Sequence, residues 1–344
     1  MLTREQEEAV DRLFVENYGE KVPYYWHRLF IGFTGTFDVN YIPDLLFLPE
    51  FERYENQWAP YNRALSDKNL MPLLVANAGV RTPKIVLSCA KGMIRDGSFR
   101  QIKSDKAIKL LEDAGEVFVK PTVNSNSGDG CFLARFENGV DVFSGKTLAE
   151  LLERLGTDFV MQERVICHSS IRNIYAGSVN TFRMTSYRWK DDILFTPSIM
   201  RLGRSGSIVD NAGAGGIFIA VDDDGTLHRQ AFNESGEAFD RHPDTGLVFE
   251  GYRIPLFPEV QLAARRIHEM LPQLGVIAWD FTIDEDGKPL FIEMNLMHPS
   301  VELQQMAHGK GLFGENTAEV LRWLRLMKKL KPSAREKYAF GNGV

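Results

Sequence analysis

The sequence of 344 residues is poor in cysteine and lacks the spacings that give cysteine a role. Cys89, Cys131 and Cys167 are an odd number, far apart and without a C-x-x-C, so their pattern supports neither a disulfide framework nor a zinc site. All three read as structural thiols. No apolar run reaches the roughly 20 residues that span a bilayer, and the opening Met1 to Glu8 is polar and acidic where a secretory signal is basic and then apolar. No membrane partner is expected, and a cytoplasmic location is. No block of five like charges occurs and the formal net charge is −6, so nucleic acid is not an expected partner either. Neither G-x-x-x-x-G-K-[ST] nor G-x-G-x-x-G is present, which excludes the two common glycine-rich phosphate loops. Internal repeats and low-complexity tracts are missing as well.

What is present is ordinary for a globular enzyme. The hydrophobic share is 44% and the charged share 25%, and the length suits two to three structural units with a cleft. Thr3 and Gln6 form a capping-box pattern ahead of an amphipathic helix through Phe14. Tyr24 to Tyr61 is rich in aromatics but poor in periodicity. From Asp67 a helical pattern runs through Leu70, Leu73 and Leu74 and stops at Gly79. Strands are expected at Lys84 to Leu87, Glu116 to Lys120, Cys131 to Phe136, Asp158 to Glu163, Thr181 to Trp189 and Ile193 to Ser198, with a helix at Thr147 to Leu155. Arg201 to Gly216 holds five glycines and reads as a working loop. A helix at Pro258 to Leu274, a hairpin at Val276 to Asn295 and a helix at Asn316 to Lys329 complete the pattern.

The hairpin carries the most chemistry. Asp286-Gly287 between alternating strands is a type I′ turn signal, and that turn sets Asp280 directly opposite Glu293. Alternation then places Trp279, Phe281, Ile283, Leu290, Ile292 and Met294 on one face, and Asp280, Glu293 and Asn295 on the other, with Phe291 on the Glu293 side as either one wall of an adenine pocket or a plain core phenylalanine. Opposed carboxylates, with β-carbons about 5 Å apart, repel unless a cation or proton intervenes. Magnesium, a hard cation that takes oxygen ligands, is the favoured partner, with Asp280, Glu293 and Asn295 as ligands. The alternative is a solvent-facing strand whose acids simply meet water.

Two lysines extend the pattern. Lys120 ends an apolar strand before Pro121, at a sheet mouth where a phosphate can be met. The following Ser125-Asn126-Ser127-Gly128-Asp129-Gly130 lacks bulk, so its amides can approach phosphate oxygens; alternatively it is a plain hairpin turn. Lys68 lies at the start of a helix, where the dipole disfavours a cation and phosphate or solvent must compensate. Strand Phe159 to Glu163 turns polar at Gln162 and Glu163, which suits an adenine amino group or a ribose hydroxyl, or solvent at a sheet edge.

In this order the motifs resemble the ATP-grasp superfamily: D-K…G-x-x-x-P at Asp67 to Pro83, F-V-K-P at Phe118 to Pro121, the small-residue loop, M-Q-E at Met161 to Glu163, T-x-R at Thr181 to Arg183, and D…E-x-N at Asp280, Glu293 and Asn295. Asn180-Thr181-Phe182-Arg183 and Asp210 to Gly216 are similar to the sugar-transfer-associated ATP-grasp group, also called alpha-L-glutamate ligase-related. The resemblance implies an α+β fold in which two subdomains grip ATP between antiparallel sheets, beside a helical, aromatic-rich N-terminal region. The implied divisions are 1–66, a linker with the first lysine at 67–110, a small subdomain at 111–164, a large subdomain with the metal site at 165–330, and a tail at 331–344. It implies ATP and Mg2+ as cofactors, phosphates held by Lys68, Lys120 and the loop of Ser125, Ser127, Gly128 and Gly130, and the adenine side at Gln162, Glu163 and Val165. Arg183, Arg201 and Asn211 would lie by the γ-phosphate and acceptor carboxylate. The implied activity is joining a small-molecule carboxylate to an amine through an acyl phosphate, on a sugar acid or an amino acid. A small-molecule kinase and a non-catalytic nucleotide switch are the alternatives, and kinases of the superfamily tend to carry Asp where this chain has Glu293. Leu296 to Ser300 departs from the Pro-Gly of peptide-type relatives, which leaves His298 as either a substrate contact or a structural residue. Both a monomer and a homodimer remain open.

Overall fold

The computed structural model describes residues 1–56, 62–65, 67–122, 130–297 and 299–343. Two antiparallel sheets dominate it. The first has six strands in the order β2-β1-β6-β3-β4-β5: β1 Ile85–Ala90, β2 Met93–Asp96, β3 Glu116–Pro121, β4 Phe132–Glu137, β5 Val140–Asp141 and β6 Phe159–Glu163. Helices Ser104–Ala114 and Leu148–Leu155 cover one of its faces, where alternation buries Val117, Val119, Ala134, Phe136, Phe159 and Met161. The opposite face presents Phe118, Lys120 and Gln162, and Gln162 pairs directly with Phe118. Leu148–Leu155 starts at a capping box of Thr147 and Glu150, which fixes where the helix begins.

The second sheet has eight strands. Seven run in the order β12-β11-β10-β9-β7-β13-β14, with β8 hydrogen-bonded to β7: β7 Thr181–Trp189, β8 Asp192–Phe195, β9 Ser198–Leu202, β10 Ile217–Val221, β11 Leu227–Phe232, β12 Ala238–Phe239, β13 Val276–Ile283 and β14 Pro289–Asn295. One face carries Phe182, Met184, Met200, Ile219, Trp279 and Phe281 against helix Phe257–Glu269. The expected single strand from Ile193 to Ser198 is two strands, because Pro197 has no N–H to give a ladder. The expected helix to Leu274 ends at Glu269, three residues before Pro272.

The aromatic stretch that periodicity could not place is helical. Helix Arg4–Asn17, capped as expected by Thr3 and Gln6, packs with Thr317–Lys329; Phe14, Phe47, Phe51, Phe313 and Trp323 interlock between them and the end of β7. Helices Tyr25–Thr34 and Glu302–His308 cover the far part of the second face of the large sheet through Phe30, Ile199, Phe218 and Phe232. Asn56 pins this layer to the sheet: its amide donates to the Val276 and Leu296 carbonyls at 2.9 and 3.3 Å and accepts from the Gly275 and Val276 N–H groups at 3.0 Å. No described helix is long and apolar enough to cross a membrane.

Candidate active site

The two sheets face each other across a cavity of about 620 Å³, within the range usual for small-molecule sites. Lys120, Phe118 and Gln162 enter it from the small sheet, and Asp280, Glu293 and Arg201 from the large one. Glu163, Val165 and the chain to Cys167 form the wall that joins the sheets, and Asn211 lines the cavity too.

The carboxylate pair sits as expected, but through a different register. The tight bend is a three-residue loop, Glu285 to Gly287: Asp284 N–H donates to Lys288 O at 2.9 Å, Gly287 N–H to Asp284 O at 2.9 Å, and Gly287 takes φ +76°. This bend pairs Ile283 with Pro289 and Phe281 with Phe291, one residue out of step with the expected two-residue turn. A β-bulge at Ile292 restores the offset, so Asp280 does oppose Glu293. The same bulge exchanges two side chains. Phe291 is 1% exposed and packs edge-on against Phe281, ring centroids 5.5 Å apart, so it belongs to the core and not to an adenine wall; Ile292 lines the cavity in its place.

The cations that offset the pair come first from the protein itself. On β7, Arg183 pairs with Asp280 in register and holds it with two bonds, Nε to Oδ1 at 2.6 Å and Nη2 to Oδ2 at 3.0 Å. Arg201 Nη2 lies 3.2 Å from Asp280 Oδ2. Burial alone would raise the Asp280 carboxyl, but the two guanidiniums outweigh it and hold the group below its ordinary range. Arg183 is thus beneath Asp280 rather than on the cavity wall, while Arg201 reaches the cavity. Its orientation is fixed by Thr181, whose hydroxyl accepts from Arg201 Nη2 at 2.8 Å and donates to Asp210 at 2.5 Å. Thr181 N–H also donates to Asp210, at 2.8 Å. The T-x-R spacing sets Thr181 and Arg183 on one face of β7, a signal that could have put Thr181 and Asp210 among the candidate residues.

Glu293 meets Lys68, Nζ to Oε2 at 3.2 Å. After helix Met71–Ala76 the chain lies along β14, where Phe291 N–H donates to Arg81 O at 2.9 Å, and ahead of the helix Lys68 N–H donates to Thr122 O at 3.4 Å. Arg81 also bonds Asp284 and Asp286 at 2.8 and 2.7 Å. Lys120 is 7% exposed, and burial together with the Lys68 charge pushes its ammonium down to about 8. Among the described residues it has no ion pair. Gln162 is buried, and Glu163 is paired with Lys84 at 2.5 Å. Asn295 donates to Asp280 at 3.4 Å on the same face but stands outside the cavity lining. Gly130 is away from the lining as well, and Ser125, Ser127, Gly128 and His298 lie outside the described residues. Beyond Arg183 lies Glu302, which sequence reading missed: burial and the nearby Asp44 push its carboxyl up to about 7.

The model of the sugar-transfer associated ATP-grasp family matches residues 49–320, most of the chain, and covers both sheets and the cavity between them. The chain belongs to this family. Its fold is the ATP-grasp fold, mixed α+β with two antiparallel sheets and an aromatic-rich N-terminal layer. No protein of curated function matches the sequence. Among solved structures it is similar to D-alanyl-alanine synthetase A from Vibrio cholerae, with 14% identity, a TM-score of 0.45, and 76% of this chain and 66% of that chain covered. The D-Ala:D-Ser ligase from Enterococcus faecalis gives 15%, 0.44, 76% and 61%, and N5-carboxyaminoimidazole synthetase from Staphylococcus aureus, in complex with ADP, gives 16%, 0.41, 71% and 50%. The match spans about half the length of the last of these, and likeness at this level fixes no activity.

Proposed function

We propose that this member of the ATP-grasp family is an ATP- and magnesium-dependent carboxylate–amine ligase that works in the cytoplasm on small molecules. The observation that carries the reading is the convergence, across one cavity between two sheets, of Lys120 and Lys68 with Arg201 and with the opposed Asp280 and Glu293. Polyphosphate needs that density of cations, and a divalent metal needs the acids.

The residues fit magnesium chemically. Asp280 and Glu293 offer hard oxygens on the cavity face and Asn295 stands beside them on the same face. These three would hold the ion, which neutralises charge on the transferring phosphoryl group when bound. Lys120 and Lys68 would meet phosphate oxygens, and nucleotide phosphate would take over the neutralisation of Lys68 from Glu293. The base would lie between Phe118 and Ile292, with the Gln162 amide and the backbone at Val165 reading its edge. Arg201, braced by Thr181 and Asp210, would orient the acceptor carboxylate beside Asn211. A carboxylate oxygen of the substrate forms a bond to the γ-phosphorus as the bond to ADP breaks; an amine nitrogen then bonds to the acyl carbon, phosphate leaves with the C–O electron pair, and the proton the nitrogen sheds passes to that phosphate. Arg183 acts through Asp280 as a positioning residue.

The family's sugar-transfer association makes sugar acids and amino acids the first substrates to try. The test is phosphate release with ATP, magnesium and pooled acids and amines, each omitted in turn. A ligase requires both an acid and an amine. ADP formed with a hydroxyl compound alone, without free phosphate, would refute the ligase in favour of a kinase, and binding with no ADP at all would refute turnover.

A further inference from the structure

A second cluster of ligand-type side chains lies outside the cleft, at the far edge of the large sheet. Asp222 follows the last residue of β10, His228 is the second residue of β11, and His308 ends helix Glu302–His308. One ligand atom from each lies within 4.8 Å of the others. The fold brings them together by register: Val221 pairs with Leu227 on one side and with Ser198 on the other, and the helix stops above that point because Gly309 turns left-handed at φ +64°. A side chain at Gly309 would also strike Thr34 at 2.5 Å, so this helix end has little freedom to move.

A backbone hydrogen bond prepares His308 as a ligand. His308 Nε2 lies 2.6 Å from the Ser198 carbonyl, which accepts only, so Nε2 carries the proton and Nδ1 keeps its lone pair. This carbonyl contact is the kind that fixes the tautomer of metal-bound histidines. His228 Nε2 sits 3.0 Å from Asp222 Oδ1, and the two imidazole centroids are 4.9 Å apart. Asp222, half exposed, has room for the small rotation that bond lengths of about 2.0–2.2 Å require. Lys310 is the nearby cation that opposes a metal, and the Asp222 carboxylate offsets it.

We propose that Asp222, His228 and His308 form a site for a borderline divalent cation of the zinc class, which clamps the β10–β11 hairpin to the end of helix Glu302–His308. Two imidazoles and one carboxylate select zinc, cobalt, nickel or copper over magnesium, so this site is chemically distinct from the all-oxygen set at the cleft. Three protein ligands leave a coordination position for water.

The experiment is a calorimetric titration of the full chain with ZnCl2 under excess MgCl2, together with visible spectra of the Co(II) form. One magnesium-resistant site is expected. His228→Ala and Asp222→Asn should each weaken it by roughly tenfold or more, and His228→Ala should remove the zinc-induced rise in Tm and the Co(II) bands. Glu293→Gln should leave the site intact, which separates it from the cleft. His228 is partly exposed, and circular dichroism is the check that its variant folds. Equal zinc affinity in the wild type and His228→Ala, or no saturable zinc binding, would overturn the proposal.

Discussion

Replacing each of the opposed acids by its amide should give two very different proteins. Asp280→Asn removes a carboxylate shared by two buried guanidiniums, Arg183 at 2.6 and 3.0 Å and Arg201 at 3.2 Å, and leaves Arg201 with Asp210 at 3.6 Å. Breaking a buried pair from one side costs about 3–5 kcal/mol, because the other charge stays behind without compensation. Glu293→Gln removes a partly exposed pair with Lys68, worth about 0–1 kcal/mol, and relieves its repulsion with Asp280, so the net change should stay within about 1 kcal/mol. For 344 residues at about 2.1 cal/mol/K of unfolding entropy each, 1 kcal/mol shifts Tm by about 1.4 °C, so Asp280→Asn should melt about 4–7 °C below the wild type and Glu293→Gln within about 2 °C of it. Calorimetry and urea midpoints measure both. The Asp280 carboxyl is held below its unfolded value of 3.8, so its contribution is present above that pH and fades as acid protonates the native state; the gap to Asp280→Asn should close there. Both variants should lose magnesium-dependent turnover. Equal destabilisation, or collapse of Glu293→Gln alone, would refute the reading that Asp280 carries the buried arginine pairs and Glu293 only the partly exposed pair with Lys68.

Other expectations follow from the same geometry. Lys120 titrates near 8 in the free protein, so nucleotide phosphate should raise it and take up a proton at about pH 9; calorimetry in buffers of different ionisation heat should detect the uptake, and Lys120→Met should abolish it. Glu302 is raised from 4.5 to about 7, so the stability its neutral form allows is complete below 4.5 and lost as pH rises through about 7. Glu302→Gln should therefore melt higher than the wild type at about pH 8, by up to about 3 kcal/mol, with the difference vanishing toward pH 4.5. Gly216→Ala would set a β-carbon 2.5 Å from the Asp210 carbonyl; it should cost about 1–3 kcal/mol and weaken ATP binding in a fluorescence titration, because Asp210 braces Thr181 and Arg201.

Local signals carried much of the fold. The capping boxes at Thr3 and Thr147 mark two helix starts because side chain and backbone satisfy each other within four residues. Asp280 opposite Glu293 was legible too, although the turn that suggested it has another form and the bulge at Ile292 supplies the offset. A bulge is set by packing on both faces, so alternation alone could not show that Phe291 turns to the core and Ile292 to the cavity. Strand β2 went unread although Lys91 and Gly92, at φ +52° and +77°, make a tight hairpin turn. The aromatic N-terminal stretch defied periodicity because its helices are short, include π-type turns over Phe47–Glu52, and bury residues against more than one neighbour.

That N-terminal layer sets a practical boundary. The family match begins at residue 49, yet Phe14, Phe30, Tyr41 and Phe47 before it are each fully buried against Trp323, Phe313, Phe218 and Tyr187 after it. A fragment trimmed to the matched region would uncover those rings and stick to itself or to chaperones, so reagents for assay or crystallisation should keep the chain from its first helix onward.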